Sequence, residues 1–320
     1  MLTYIRTENY IIDGEYEFKI EPKPNAYIIG AGRNNYKEWE EAGHNISYGE
    51  NILWILRNCF KYPSSLENLL EPGIKNKKDP ALLEIGIQAG GKNYKYHINF
   101  YEGKLFIESL MEDGKFVFFR DVMNDIERND NEFEPSDLLY LKYWKGLSLP
   151  NLSNEACKEI GKVLEENILT VPRPSEISLP NSYGYYDDDI TVDLMSIIQY
   201  YDGRFGIDTR AILSEMLKVL GFDNYDCVSS AGKFRMSGRK HLEMDYSTAG
   251  TGLKRLCILY PLLWVAREKG YTLLIPHLDS GLHVLIAQYL LEWFCSSGTE
   301  GRQLLTKVGN YENYRWTTNK

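Results

Sequence analysis

Several features that would class a chain at sight are missing here. The five cysteines, Cys59, Cys157, Cys227, Cys257 and Cys295, stand far apart and no C-x-x-C pair occurs. That excludes a paired-thiol motif and reads as reduced thiols in a cytoplasmic protein. No apolar run reaches membrane length: the longest, residues 256–266, falls well short of the ~20 residues that a span needs. The opening MLTYIRTENY is charged and reads as neither a signal peptide nor an anchor. Positive charge is in deficit. Lys and Arg number 36 against 45 Asp and Glu, giving a net charge of −9 and a pI of about 5.3. A global electrostatic footprint for nucleic acid is thereby excluded, although local basic patches stay open. There is no internal repeat and no low-complexity segment. The tripeptide G-K-[ST], which closes a standard phosphate loop, occurs nowhere.

What is present suits a folded α/β chain. At 320 residues, 43% of them hydrophobic, it can bury a sizeable core in one large domain or two modest ones. Tyrosines number 24, many beside charged residues, which suits half-exposed strands and interfaces. Residues 2–12 and 16–20 alternate as strands, and 26–29 reads as a short buried strand ended by Gly30. Residues 50–60 read as a helix. Residues 82–87, 94–100, 104–110 and 115–119 read as four strands. Gly90-Gly91, Glu102-Gly103 and Asp113-Gly114 separate them as turns, which predicts an antiparallel meander. Helices are expected over 135–144, 154–167, 193–201 and 209–220, with Gly221 closing the last. Strands are expected over 226–234 and 240–245.

The stretch Asp245-Tyr246-Ser247-Thr248-Ala249-Gly250-Thr251-Gly252-Leu253-Lys254-Arg255-Leu256 is the most informative. A polar Ser/Gly loop runs into an apolar helix, then into a buried strand over 271–275, then into Leu278-Asp279-Ser280-Gly281-Leu282-His283. A loop of this kind opening a helix presents free backbone N–H groups and a positive dipole end to an anion. The plain alternative is a loop that merely caps the helix. A helix over 285–294 and a short strand over 303–306 follow.

These residues resemble the ATP-binding cassette (ABC) type ATPase heads of bacterial AAA-family defence proteins. Those are relatives of the overcoming-lysogenisation-defect ATPases and of chromosome-maintenance heads. Residues 247–256 are similar to the ABC signature loop, and 272–283 to the Walker B strand and the loop after it. The opening strands and the strand into Gly30 resemble the family's first strands. The resemblance implies an α/β fold, an ABC-ATPase-like head with an antiparallel β meander and an inserted helical subdomain. It divides the chain into an N-terminal lobe over 1–123, a helical insertion over 124–201 and a C-terminal lobe over 202–320. It implies a nucleotide- or partner-facing loop of Ser247, Ala249, Gly250, Thr251 and Gly252.

The chain departs from the family at each catalytic position. One placement of the phosphate loop uses Gly30, Gly32, Arg33 and Asn35, with no lysine at its end. Another uses Ser47-Tyr48-Gly49-Glu50, which puts Gly49 where lysine belongs and Glu50 where the Mg²⁺ hydroxyl belongs. A carboxylate there would repel triphosphate. After the strand the family has Asp-Glu; here stand Pro276 and His277, and proline offers neither ligand nor N–H. Asp279 and His283 lie in the loop that follows, in which the resemblance implies a dimer contact. The later switch histidine is replaced by Lys307-Val308-Gly309-Asn310.

The expectation is therefore a pseudo-ATPase with no catalytic residue and no metal of its own. It would be a structural or regulatory subunit that forms a homodimer, or a heterodimer with an ABC-type ATPase. ATP and Mg²⁺ would enter only at a site shared with that partner. The family setting implies antiviral defence beside a nuclease or toxin effector. Two alternatives stay open. One is an active ATPase whose missing cation is supplied by Arg33, Lys37 or a partner's lysine. The other is a nucleic-acid-binding head using Lys233, Arg235, Arg239, Lys240, Lys254 and Arg255.

Overall fold

The computed structural model describes residues 1–10, 15–19, 26–30, 51–53, 55–56, 73–76, 79–101, 104–121, 155–172, 174–177, 193–222, 225–228, 233–236, 243–296 and 301–308. The chain is mixed α/β and divides into two compact units. The first comprises Met1–Tyr27 and Glu40–Ile168, the second Ile28–Trp39 and Leu169–Lys320.

The first unit is built on a six-stranded antiparallel sheet. Leu2–Glu8 (β1) pairs with Glu15–Lys19 (β2). Ala26–Gly30 (β3) crosses into the second unit. Ala81–Ala89 (β4), Lys92–Tyr101 (β5), Lys104–Glu112 (β6) and Lys115–Asp121 (β7) form the expected meander, and the sheet order is β2-β1-β4-β5-β6-β7. Alternation sets the faces. Tyr94, Tyr96, Ile98 and Phe100 of β5 pair with Ile87, Ile85, Leu83 and Ala81 of β4, and all eight are buried. That face also buries a charge pair, Glu108 and Arg120 at 3.8 Å, with the Tyr96 hydroxyl donating to Glu108 at 2.8 Å. The helix Glu155–Lys162 (α1) buries Ala156, Cys157 and Ile160. A single π turn, Val163–Asn167, ends it.

The opposite face carries a polar row. Arg6, Glu84, His97 and Ser109 are direct partners across β1, β4, β5 and β6. The buried Glu84 carboxylate receives the Tyr4 hydroxyl at 2.9 Å and the Lys95 ammonium at 2.7 Å, with His97 Nδ1 at 3.3 Å. Burial alone would raise its pKa. The hydrogen bonds from His97, Lys95 and Tyr4 overturn that and hold it at about 2. Tyr4 lies flat over Gly86, where a Cβ would meet its ring at 2.2 Å.

The second unit holds a four-stranded sheet of order β3-β13-β12-β8, from Ile168–Thr170 (β8), Thr272–Ile275 (β12) and Gln303–Val308 (β13) with β3. β12 and β13 are parallel. Its helices are Pro174–Ile177 (α2), Leu194–Phe205 (α3), Thr209–Val219 (α4), Thr251–Lys269 (α5) and Val284–Ser296 (α6). Asp193 caps α3 through Ser196 N at 2.9 Å. Gly221 follows α4 at φ 82°, as expected. Leu256, Leu259 and Leu263 of α5 are fully buried or nearly so, each stabilising by on the order of 2 kcal/mol.

Three readings change. β8 was not expected; the chain leaves the π turn directly into it. Residues 226–245 form three strands rather than two, Tyr225–Val228 (β9), Lys233–Met236 (β10) and Glu243–Asp245 (β11), paired as β11-β10-β9. The first strand stops at Glu8 rather than at residue 12. The expected helix over 135–144 and the Tyr/Asp-rich run over 183–189 lie outside the described residues, as does most of the expected insertion over 124–201. No described helix is long and apolar enough to cross a membrane.

Candidate functional site

β11 delivers the chain into a 3-10 turn, Tyr246–Thr248, and then into α5. The turn is anchored from below. Tyr246 and Ala249 are buried, whereas Ser247, Thr248, Gly250 and Thr251 are exposed. Ala249 N donates to Tyr246 O at 3.1 Å, and Lys254 Nζ closes the loop from the helix side by donating to Ser247 O at 2.7 Å. The same ammonium lies 5.9 Å from the centre of the Tyr246 ring. Burial pushes the Tyr246 hydroxyl well above its usual range, so it stays neutral.

Gly250 is the N-cap, in extended conformation (φ −62°, ψ 153°), and no side chain caps the helix. No cap side chain therefore takes the N–H groups of the first turn, and the dipole adds about half a positive charge there. Lys254 brings a full one. This end of α5 is thus suited to an anion.

The loop after β12 lies against this helix start. Pro276 and His277 follow Ile275, Leu278 is fully buried, and Leu282 N closes a turn on Asp279 O at 3.0 Å. Gly281 takes φ 71°. A Cβ on Gly252 would stand 3.1 Å from Gly281 O. Arg255 Nη2 donates to the His277 carbonyl. Burial lowers the Arg255 pKa and the nearby Asp279 raises it; a guanidinium remains charged under either influence. His283 starts α6: its Nδ1 accepts from Leu285 N at 3.3 Å and its carbonyl takes the amides of Ile286 and Ala287.

The structure thus brings Gly252 and Arg255 of the loop-and-helix element together with His277, Asp279 and Gly281 of the strand-end loop. Gly30 is the last residue of β3, in the same sheet as β12 with β13 between them. Gly32, Arg33, Asn35, Gly49 and Glu50 lie outside the described residues. Of the basic set weighed for nucleic acid, Lys254 and Arg255 are engaged with backbone carbonyls. Arg239 and Lys240 lie outside the described residues. Sequence reasoning missed Arg255 as a link, because its partner is 22 residues away and is a backbone atom.

No family model matches the chain, and no curated protein matches it. Solved structures to which it is similar include three SMC head domains. These are the SMC head domain from Thermotoga maritima (12% identity, TM-score 0.41); an SMC head bound to the C-winged helix domain of ScpA (11%, 0.45); and an SMC head domain with an extended coiled coil, bound to the C-terminal domain of ScpA derived from Pyrococcus furiosus (10%, 0.44). Each alignment covers 99% of this chain and 91% of the other. Such distant likenesses leave the chemistry to be read from the residues themselves.

Proposed function

We propose that this chain is an ABC-like ATPase head that does not hydrolyse nucleotide alone and works as a structural or regulatory subunit. Its uncapped α5 start is the observation that carries the reading. Exposed Ser247, Thr248, Gly250 and Thr251 surround backbone donors that no cap side chain takes, and Lys254 adds charge. The hydrolytic residues that such a loop would need in its own chain are not in the sequence. No G-K-[ST] occurs, and Pro276-His277 occupy the strand end where Asp-Glu would bind Mg²⁺ and activate water. The anion offered to this loop would accordingly belong to a nucleotide held by a second copy or by a partner ATPase. The sequence resemblance to defence ATPase heads supports a setting beside a nuclease or toxin effector.

Calorimetric titration of Mg²⁺–ATP into the purified chain tests the first half. No heat of binding is expected, and micromolar binding by the chain alone overturns the reading. Gly250→Glu tests the second half by placing a carboxylate at the helix start. It should abolish nucleotide-dependent association with the partner while leaving thermal stability within a few degrees. Unchanged association would remove the loop from the interface.

A further inference from the structure

The first unit carries a second feature with a distinct electrostatic character. A groove of about 880 Å³ runs between α1 and the ends of β5, β6 and β7. Two of its three acidic groups are already occupied. Glu112 receives the Lys92 ammonium at 2.6 Å. Glu159 receives the Tyr94 hydroxyl at 3.2 Å and faces the Met1 ammonium, whose pKa burial lowers and Glu159 raises. Glu155 sits in the first turn of α1, where the helix dipole favours a carboxylate.

The remaining cations of the groove are not matched. Lys115, Lys158 and Lys162 are exposed, and none has an ion-pair partner among the described residues. Lys158 and Lys162 are one turn apart on the same face of α1, a like-charge spacing that destabilises the helix. An anion between them would remove that cost. At the rim Phe116 is 59% exposed and packs edge-to-face on Phe119, itself 54% exposed, at 5.4 Å. The exposed ring of Phe116, which lines the groove, adds an apolar contact to three ammonium groups that have no ion-pair partner among the described residues.

We propose that this groove docks an extended acidic peptide segment of a partner protein, with carboxylates on Lys115, Lys158 and Lys162 and an apolar side chain on Phe116. The spacing fits. One helical turn separates Lys158 from Lys162 by about 6 Å along the axis, and alternate side chains of an extended strand are about 6.7 Å apart. A nucleic-acid strand fits less well, because a continuous phosphate backbone would run past Glu112, Glu155 and Glu159 on a chain of net charge −9.

The test is fluorescence anisotropy on the full chain, with a labelled oligo-glutamate peptide carrying one central Phe and, separately, labelled oligo-dT. The peptide should bind, and binding should weaken with added salt. Lys158→Glu with Lys162→Glu should weaken it at least about tenfold, since exposed pairs are individually modest. Lys115→Ala and Phe116→Ala, which leave α1 untouched, should each weaken it severalfold. A thermal melt confirms that each variant is folded. The proposal is overturned if the peptide fails to bind, if the folded variants bind as the wild type does, or if oligo-dT binds more tightly than the peptide.

Discussion

Gly252 approaches Gly281 so closely that a Cβ on Gly252 would lie 3.1 Å from the Gly281 carbonyl oxygen. The start of α5 and the loop after β12 are therefore in direct backbone contact, and glycine is what permits it. Gly252→Ala should be tolerated with little change: the helix gains about 0.5–1 kcal/mol from losing glycine and gives part of it back to the contact. Gly252→Val has no such compensation, because its branched side chain must push the carbonyl away, at about 1–3 kcal/mol. Urea unfolding of both variants decides this. Equal stability for the valine variant would mean that the loop moves freely.

Arg255 ties the same two elements by a side chain. Its Nη2 donates to the His277 carbonyl, and Asp279 stands near enough to favour its charge. Arg255→Ala should remove a charge-assisted hydrogen bond, at about 1.5–3 kcal/mol, and release the loop. Arg255→Lys should recover only part, because lysine lacks the forked donor geometry. Amide hydrogen exchange reads the effect at Leu282, whose N–H closes the turn on Asp279 O. Exchange there should accelerate in the alanine variant and less so in the lysine variant. Unaltered exchange in both would show that Arg255 does not hold the turn.

Pro261 sits inside α5 and cannot donate to the carbonyl four residues earlier, that of Cys257. Beside it, the Ile258 carbonyl takes a bond from the fully buried Tyr201 hydroxyl at 2.6 Å. That bond fastens α3 to α5 near the weak point of the helix. Tyr201→Phe keeps the packing and removes one donor, so a loss of about 1 kcal/mol is expected. A shift in the urea midpoint with an unchanged slope would report it. No shift would mean that the carbonyl is satisfied without the tyrosine.

The meander was legible because alternation and glycine turns act locally: β4 to β7 fall where Tyr94, Tyr96, Ile98 and Phe100 alternate with polar residues and Gly90, Gly91 and Gly114 break the chain. β8 was not, because the helical spacing continues through the π turn at Val163–Asn167 and leaves only three residues, Ile168–Thr170, too few to carry a strand pattern. The strands over 225–245 were blurred into two for a related reason: runs of three or four residues carry too little pattern to fix their ends. At the site, the Ser/Gly entry into α5 was readable as a local signal. The contacts of Gly252 and Arg255 with the strand-end loop were not, since they depend on where β12 returns. The Glu84 cluster needed the register of three strands before its members became neighbours.

That cluster gives the chain a specific acid sensitivity. Glu84 holds its carboxylate at about 2 against a usual 4.5, so it binds a proton less readily folded than unfolded. Its contribution is complete above about pH 4.5 and is lost as pH falls from there towards about 2. The shift corresponds to about 3 kcal/mol, reasonable for a side chain only 5% exposed. Glu84→Gln removes the titration and leaves Lys95 and His97 facing a neutral amide. The variant should be less stable than the wild type near neutral pH, and the gap should close as pH is lowered through that window. Denaturant unfolding of both proteins across that range gives the difference directly, with the other carboxylates cancelling in the subtraction. A gap that stays constant with pH would show that Glu84 does not carry its charge at a depressed pKa, and would place the stabilising role of this face in the Tyr4–Gly86 packing instead.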